Sequence, residues 1–120
     1  MKTAGGFDQN LMLIDSTSAV TATVTGDAVD FNGKDLYEIN YRVIVPKADG
    51  TSPKLVLELQ ESDDQDTWTT FYTFPDIEAA GEYNKKIRAN KRYRRAKATV
   101  SGTSPDFGYL LAGASTGGVL

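Results

Sequence analysis

Cysteine and histidine are both absent from this 120-residue chain. Without cysteine there is no disulfide framework, no thiolate nucleophile and no iron–sulfur ligation. Without histidine the commonest general base and the commonest zinc ligand are missing, and a Ser-His-Asp triad cannot be assembled. Long apolar runs are missing too. No segment approaches the roughly 20 apolar residues that span a bilayer, so no membrane association is expected. The opening MKTAGGFDQNLMLID holds only the run LMLI. That is short of the about 7–15 apolar residues of a secretory signal, so classical export is not expected. No long helical period occurs, and no internal repeat, low-complexity tract or linker stands out.

What is present is a two-residue period. Hydrophobic residues make up 40% of the chain and charged residues 24%, the balance of a soluble globular domain. The length fits one domain, residues 1–120, with flexible ends at MKTAGGF and ASTGGVL. In YEINYRVIVP, Tyr37, Ile39, Tyr41, Val43 and Val45 fall on one face, with Glu38, Asn40 and Arg42 opposite. In KLVLELQES, Leu55, Leu57 and Leu59 share a face. Both read as half-buried strands. Between them PKADGTSP reads as a hairpin or short loop, from its Asp-Gly and flanking prolines. NLMLID, AVTATVTG, TWTTFYTF, Glu82–Arg88, Arg92–Val100 and YLLAG supply the other strand candidates. TGDAVDFNGKD reads as a long loop, Ala89-Asn90 as a tight turn and GTSPDFG as another turn. About eight short antiparallel strands in one small domain predict an all-β sandwich, most simply a jelly roll.

Three stretches are candidate sites. Glu61, Asp63, Asp64 and Asp66 cluster after the second of these strands. Calcium takes several carboxylate oxygens, but the spacing lacks the EF-hand's central glycine and its final glutamate. A hairpin tip, where Asp and Ser bond their own backbone, is the simpler reading. A glycosidase pair needs carboxyls facing across a cleft, which neighbours on one turn do not provide, so no catalytic residue and no cofactor are assigned. Trp68 and Tyr72 share a parity and offer a stacking platform for a carbohydrate, although alternation also suits them to a core. The segment KKIRANKRYRRAK holds eight of the thirteen basic residues: Lys85, Lys86, Arg88, Lys91, Arg92, Arg94, Arg95 and Lys97. As a hairpin it forms one basic patch on a chain of net charge -3. Its readings are edge protection against aggregation, nucleic-acid binding, or docking on an acidic protein. Opposite patches favour the protein partner over nucleic acid.

LVLELQESDDQDTWTTFYTFPDI, followed by AAGEYNKKIRANKRYRRAKATVSGTSPDFGYLLAG, resembles the small jelly-roll cement (decoration) proteins of short-tailed bacteriophage capsids. The resemblance rests on a strand ending in Ser-Asp-Asp near a Trp, a Gly-Glu-Tyr turn, a basic Lys-Arg-Tyr-x-Arg strand and Thr-Val-Ser-Gly-Thr-Ser-Pro. It covers about the second two-thirds of the chain, and AVTATVTGDAVDFNG resembles the family's first strand and loop. It implies a structural protein on the outer capsid surface of the virion, assembled in the host cytoplasm. There it would bridge major capsid protein subunits as a homo-dimer or homo-trimer. The basic hairpin is then the expected capsid contact, and charge reversal at Arg92, Arg94 and Arg95 is expected to spare the fold. A carbohydrate-binding module or virion-displayed adhesin built on Trp68 and Tyr72 is the alternative.

Overall fold

The computed structural model describes residues 7–31 and 38–115. Of the expected free ends MKTAGGF and ASTGGVL, residues 1–6 and 116–120 lie outside the described residues, as does Tyr37 with its neighbours in 32–37. Phe7 pairs with Ser115 and Ala114 with Tyr41, so those parts of the ends are strand and not free tail. Among the described residues the chain forms nine β-strands and no helix. They are β1 (Phe7–Asp15), β2 (Val24–Thr25), β3 (Val29–Asp30), β4 (Ile39–Val45), β5 (Asp49–Ser62), β6 (Thr69–Thr73), β7 (Gly81–Ile87), β8 (Tyr93–Asp106) and β9 (Leu111–Ser115). One sheet has the order β1-β9-β4-β7 and the other β2-β8-β5-β6.

The two shortest strands act as one interrupted strand. Val24 pairs with Ala98 on β8, and Val29 pairs with Arg94 further along it. Counted so, the chain is a long antiparallel hairpin rolled up. The first strand lies beside the last (β1 with β9), and the second beside the second-last (β2 and β3 with β8). β4 then lies beside β7, and β5 beside β6. This nesting, distributed over two sheets, is the jelly-roll sandwich.

Alternation builds the core. Tyr41, Val43 and Val45 of β4 point inward, as do Leu55, Leu57 and Leu59 of β5. Their neighbours are small. Leu57 and Leu59 stand opposite Ala98 and Ala96, and Tyr41 and Val43 opposite Ala114 and Ala112. Large against small lets two facing layers interdigitate at close packing. Each buried leucine contributes about 1.5–3 kcal/mol of transfer free energy.

Several turns differ from the sequence reading. Of the two readings of PKADGTSP the short loop holds and the hairpin does not, because β4 and β5 belong to different sheets and only residues 46–48 connect them. GTSPDFG is extended rather than turned as far as Asp106, since the chain continues along β5. AVTATVTG contributes only Val24–Thr25 as strand, and the expected loop after it contains β3. Residues 85–97 are not a hairpin either. β7 pairs with β4 and β8 with β5, so the chain crosses from one sheet to the other between them.

A short repeat is present after all. GTSP occurs at 50–53 and again at 102–105. The two copies face each other on β5 and β8, with Thr51 opposite Thr103. Gly50 and Gly102 have φ of 110° and 113°, and Ser52 and Ser104 both have φ of 50°. A Cβ on Gly50 would lie 2.6 Å from the Ser104 carbonyl oxygen, and one on Gly102 would lie 2.6 Å from that of Ser52. Only glycine fits at both positions.

Candidate functional site

The acidic tip is built from its own side chains. Ser62 Oγ donates to Asp64 Oδ1 at 2.9 Å and accepts from the Gln65 N–H at 2.9 Å. Asp64 Oδ1 also accepts from the N–H groups of Asp66 and Thr67, both at 2.9 Å. Gln65 takes a φ of 63° at the apex. β5 and β6 are paired on either side, so this is the hairpin tip that the Ser and Asp content suggests. The four acids do not converge. Glu61 is buried and turns the other way, accepting the Asn90 N–H at 2.7 Å and the Lys91 N–H at 3.2 Å. Asp63 and Asp66 remain exposed. Among the described residues no group of three or more acidic side chains could hold a metal ion.

The N–H groups of Thr67 and Asp66, then the Ser62 hydroxyl, hold the Asp64 carboxyl down to about 2. A depressed carboxylate stabilises the fold above its unfolded value and loses that contribution as pH falls through the folded one. The tip is therefore expected to loosen between the ordinary value of 3.8 and about 2. Thermal melts of wild type and Asp64→Asn across acid pH check this. The variant should melt lower at neutral pH and depend less on pH below 4, whereas parallel curves would show that the Asp64 charge is not engaged.

The two-ring platform is not formed. Leu59 pairs with Tyr72 but Gln60 pairs with Thr70, so Phe71 is an extra residue on β6. The bulge reverses the parity between Trp68 and Tyr72. Tyr72 packs on the core and sets its ring 5.0 Å from that of Phe74. Phe71 also turns inward, its ring 5.8 Å from that of Tyr41. Trp68 lies instead beneath Arg95, whose guanidinium carbon is 4.2 Å from the ring centroid. Arg95 is fixed there by donating to Gln60 Oε1 at 2.7 Å.

The eight basic residues separate into four groups. Arg94 is the largest fully buried side chain among the described residues. Its Nη1 donates to Tyr41 Oη at 2.8 Å, its Nε donates to the Lys91 carbonyl at 3.2 Å, and its guanidinium lies 4.4 Å from the Phe31 ring centroid. Burial raises the Tyr41 hydroxyl above its ordinary value, against the opposing pull of Arg94. Arg92 is exposed but engaged, making a two-pronged pair with Asp30 at 2.7 Å on each oxygen. Arg95 is held on Trp68. These three arginines cannot together form the expected contact: one faces the core, one is paired, and one is stacked.

The remaining five are lysines 85, 86, 91 and 97 and Arg88. Among the described residues none of them makes an ion pair. Lys85 reaches over the Tyr72 ring at 5.4 Å. Lys86 stands on the outer face of β7 opposite Asn40. Arg88 and Lys91 lie in the connection from β7 to β8, with the buried Ala89 between them. Glu61 ties this connection to the end of β5, so Arg88 and Lys91 share one end of the sandwich with the acidic tip. That end thus carries both signs of charge. At the other end the loop around Val20 bonds to Phe107 and Gly108. A solvent-open depression of about 520 Å³ lies along residues 12–27 and includes none of the candidate residues.

Alternation carried one step further would have found the interior pair. Glu61 has the parity of Leu57 and Leu59, and Arg94 that of Ala96 and Ala98. No protein-family model matches this chain, and no curated protein does.

Proposed function

We propose that this protein is a structural cement protein that docks on the outer surface of a phage head and bridges major capsid subunits. The observation that carries the reading is a pair of cations, Arg88 and Lys91, without an ion pair among the described residues, at the end of the sandwich that also carries exposed Asp63 and Asp66. Such an end offers both signs to a partner surface and sets its register by complementarity. Glu61 and the buried Ala89 hold the connection that carries the cations, so less order is lost on docking. Many identical copies on one shell make individually weak contacts sum.

The contact residues in this reading are Arg88 and Lys91, in place of Arg92, Arg94 and Arg95. Co-sedimentation with empty capsids at low and high salt tests it. Wild-type binding should fall as salt rises. Arg88→Glu with Lys91→Glu should weaken binding at least about tenfold, roughly 1.4 kcal/mol, while the melting temperature stays near wild type. A folded double variant that binds capsids normally would remove this end as the contact.

A further inference from the structure

β7 is the free edge of its sheet, because β4 is its sole strand neighbour among the described residues. Alternate N–H and C=O groups along an edge strand project away from the sheet, ready for another strand. The geometry points to a second copy of this chain as the partner of β7, paired antiparallel, edge to edge, about a two-fold axis through Asn84.

The sequence of β7, GEYNKKI, is self-complementary in that register alone. With Asn84 on the axis, Glu82 of each copy stands opposite Lys86 of the other. Both residues lie on the outer face and both are exposed. Tyr83 then stands opposite Lys85 on the inner side. Sliding the partner by two residues one way puts Lys85 opposite Lys85, and like charges directly opposite destabilise a pair. Sliding it the other way puts Tyr83 on the axis and leaves Glu82 opposite Asn84, with no ion pair. Lysines on an edge ordinarily repel a new strand. Here each Lys86 meets a carboxylate, so the edge rejects other strands and accepts its own copy. Glu82 already lies 3.3 Å from Arg42, yet its side chain keeps 49% of its exposure and a second oxygen for Lys86.

The contact is isologous, so it closes at two copies and joins two four-stranded sheets into one of eight. A seven-residue edge is small beside the roughly 1,200–2,000 Å² of stable complexes, so the dimer forms with rising concentration. The pairing stands independently of the capsid reading.

The chain has no cysteine, which makes the axis directly testable. Residues opposite each other in an antiparallel pair have Cα atoms about 4.5–5.5 Å apart, within the span of a disulfide. Asn84→Cys should convert to a disulfide-linked dimer under mild oxidation. Ser18→Cys, exposed in the connection after β1, should stay monomeric under the same conditions. In light scattering on the cysteine-free protein, Lys86→Glu or Glu82→Lys alone should abolish the dimer, and the two together should restore it. Cross-linking of Asn84→Cys no greater than that of Ser18→Cys overturns the proposal. So does a charge-swapped double variant as dissociated as the single ones, or a trimer.

Discussion

Arg94→Glu is expected to lose at least about 4 kcal/mol of stability in urea denaturation, enough to leave little folded protein. The wild-type guanidinium lies between the Phe31 ring and the Tyr41 hydroxyl, fully shielded from water. Its Nη2 has no hydrogen-bond partner among the described residues. A carboxylate there would lose the cation–π contact and the bonds to Tyr41 and Lys91. It would also stand opposite the buried Glu61 in the β5–β8 pair. Arg94→Met separates charge from volume. Its chain fills much of the same space without a buried charge, and the loss is then the bonds to the Tyr41 hydroxyl and the Lys91 carbonyl rather than a like charge set against Glu61. The methionine variant should stay within about 2 kcal/mol of wild type. An Arg94→Glu protein as stable as wild type would show that the side chain does not face the interior.

Glu61→Ala is expected to cost roughly 3 kcal/mol, from two hydrogen bonds to a charged acceptor. The carboxylate holds the Asn90 and Lys91 N–H groups, and with them the connection that carries Arg88 and Lys91. Removing it leaves those donors without their acceptor. It also takes away the negative charge nearest to Arg94 along the strand pair. Glu61→Gln keeps an acceptor oxygen in place and should lose about half as much. Combined with Arg94→Met, the loss should be smaller than the sum, because the two residues share one environment. Hydrogen exchange at Asn90 and Lys91 provides a second check. Both amides should exchange faster in the alanine variant, and unchanged protection would mean that another group holds them.

The two sheets were legible in the sequence because alternation records burial directly. Tyr41, Val43 and Val45, and Leu55, Leu57 and Leu59, could sit on one face only. Strand pairing was less legible. A turn looks the same locally whether the chain folds back on its neighbour or crosses to the opposite sheet. The stretch between β7 and β8 therefore reads as a hairpin and PKADGTSP as either a hairpin or a short loop, and both cross. The bulge at Phe71 left no mark in composition, yet it separated Trp68 from Tyr72. Charge misled most at Arg94 and Glu61. Charged residues at the end of an alternating run are ordinarily on the surface, and here the run continues inward through both.

The nesting of the strands also dictates the order in which the molecule can be made. β1 is the first strand in the chain and its partner, β9, is the last. The hairpin of β5 and β6 joins residues close in sequence and can form while later strands are still being synthesised. Each further layer then waits for a more distant partner, β7 for β4, β8 for β2 and β3, and finally β9 for β1. Loop closure between such remote segments is slow, and β1 presents bare strand edges until it happens. Newly made chains are therefore expected to expose unpaired strand edges until β9 is complete, and the yield of native protein should depend on chaperones and on the rate of synthesis more than the small size suggests.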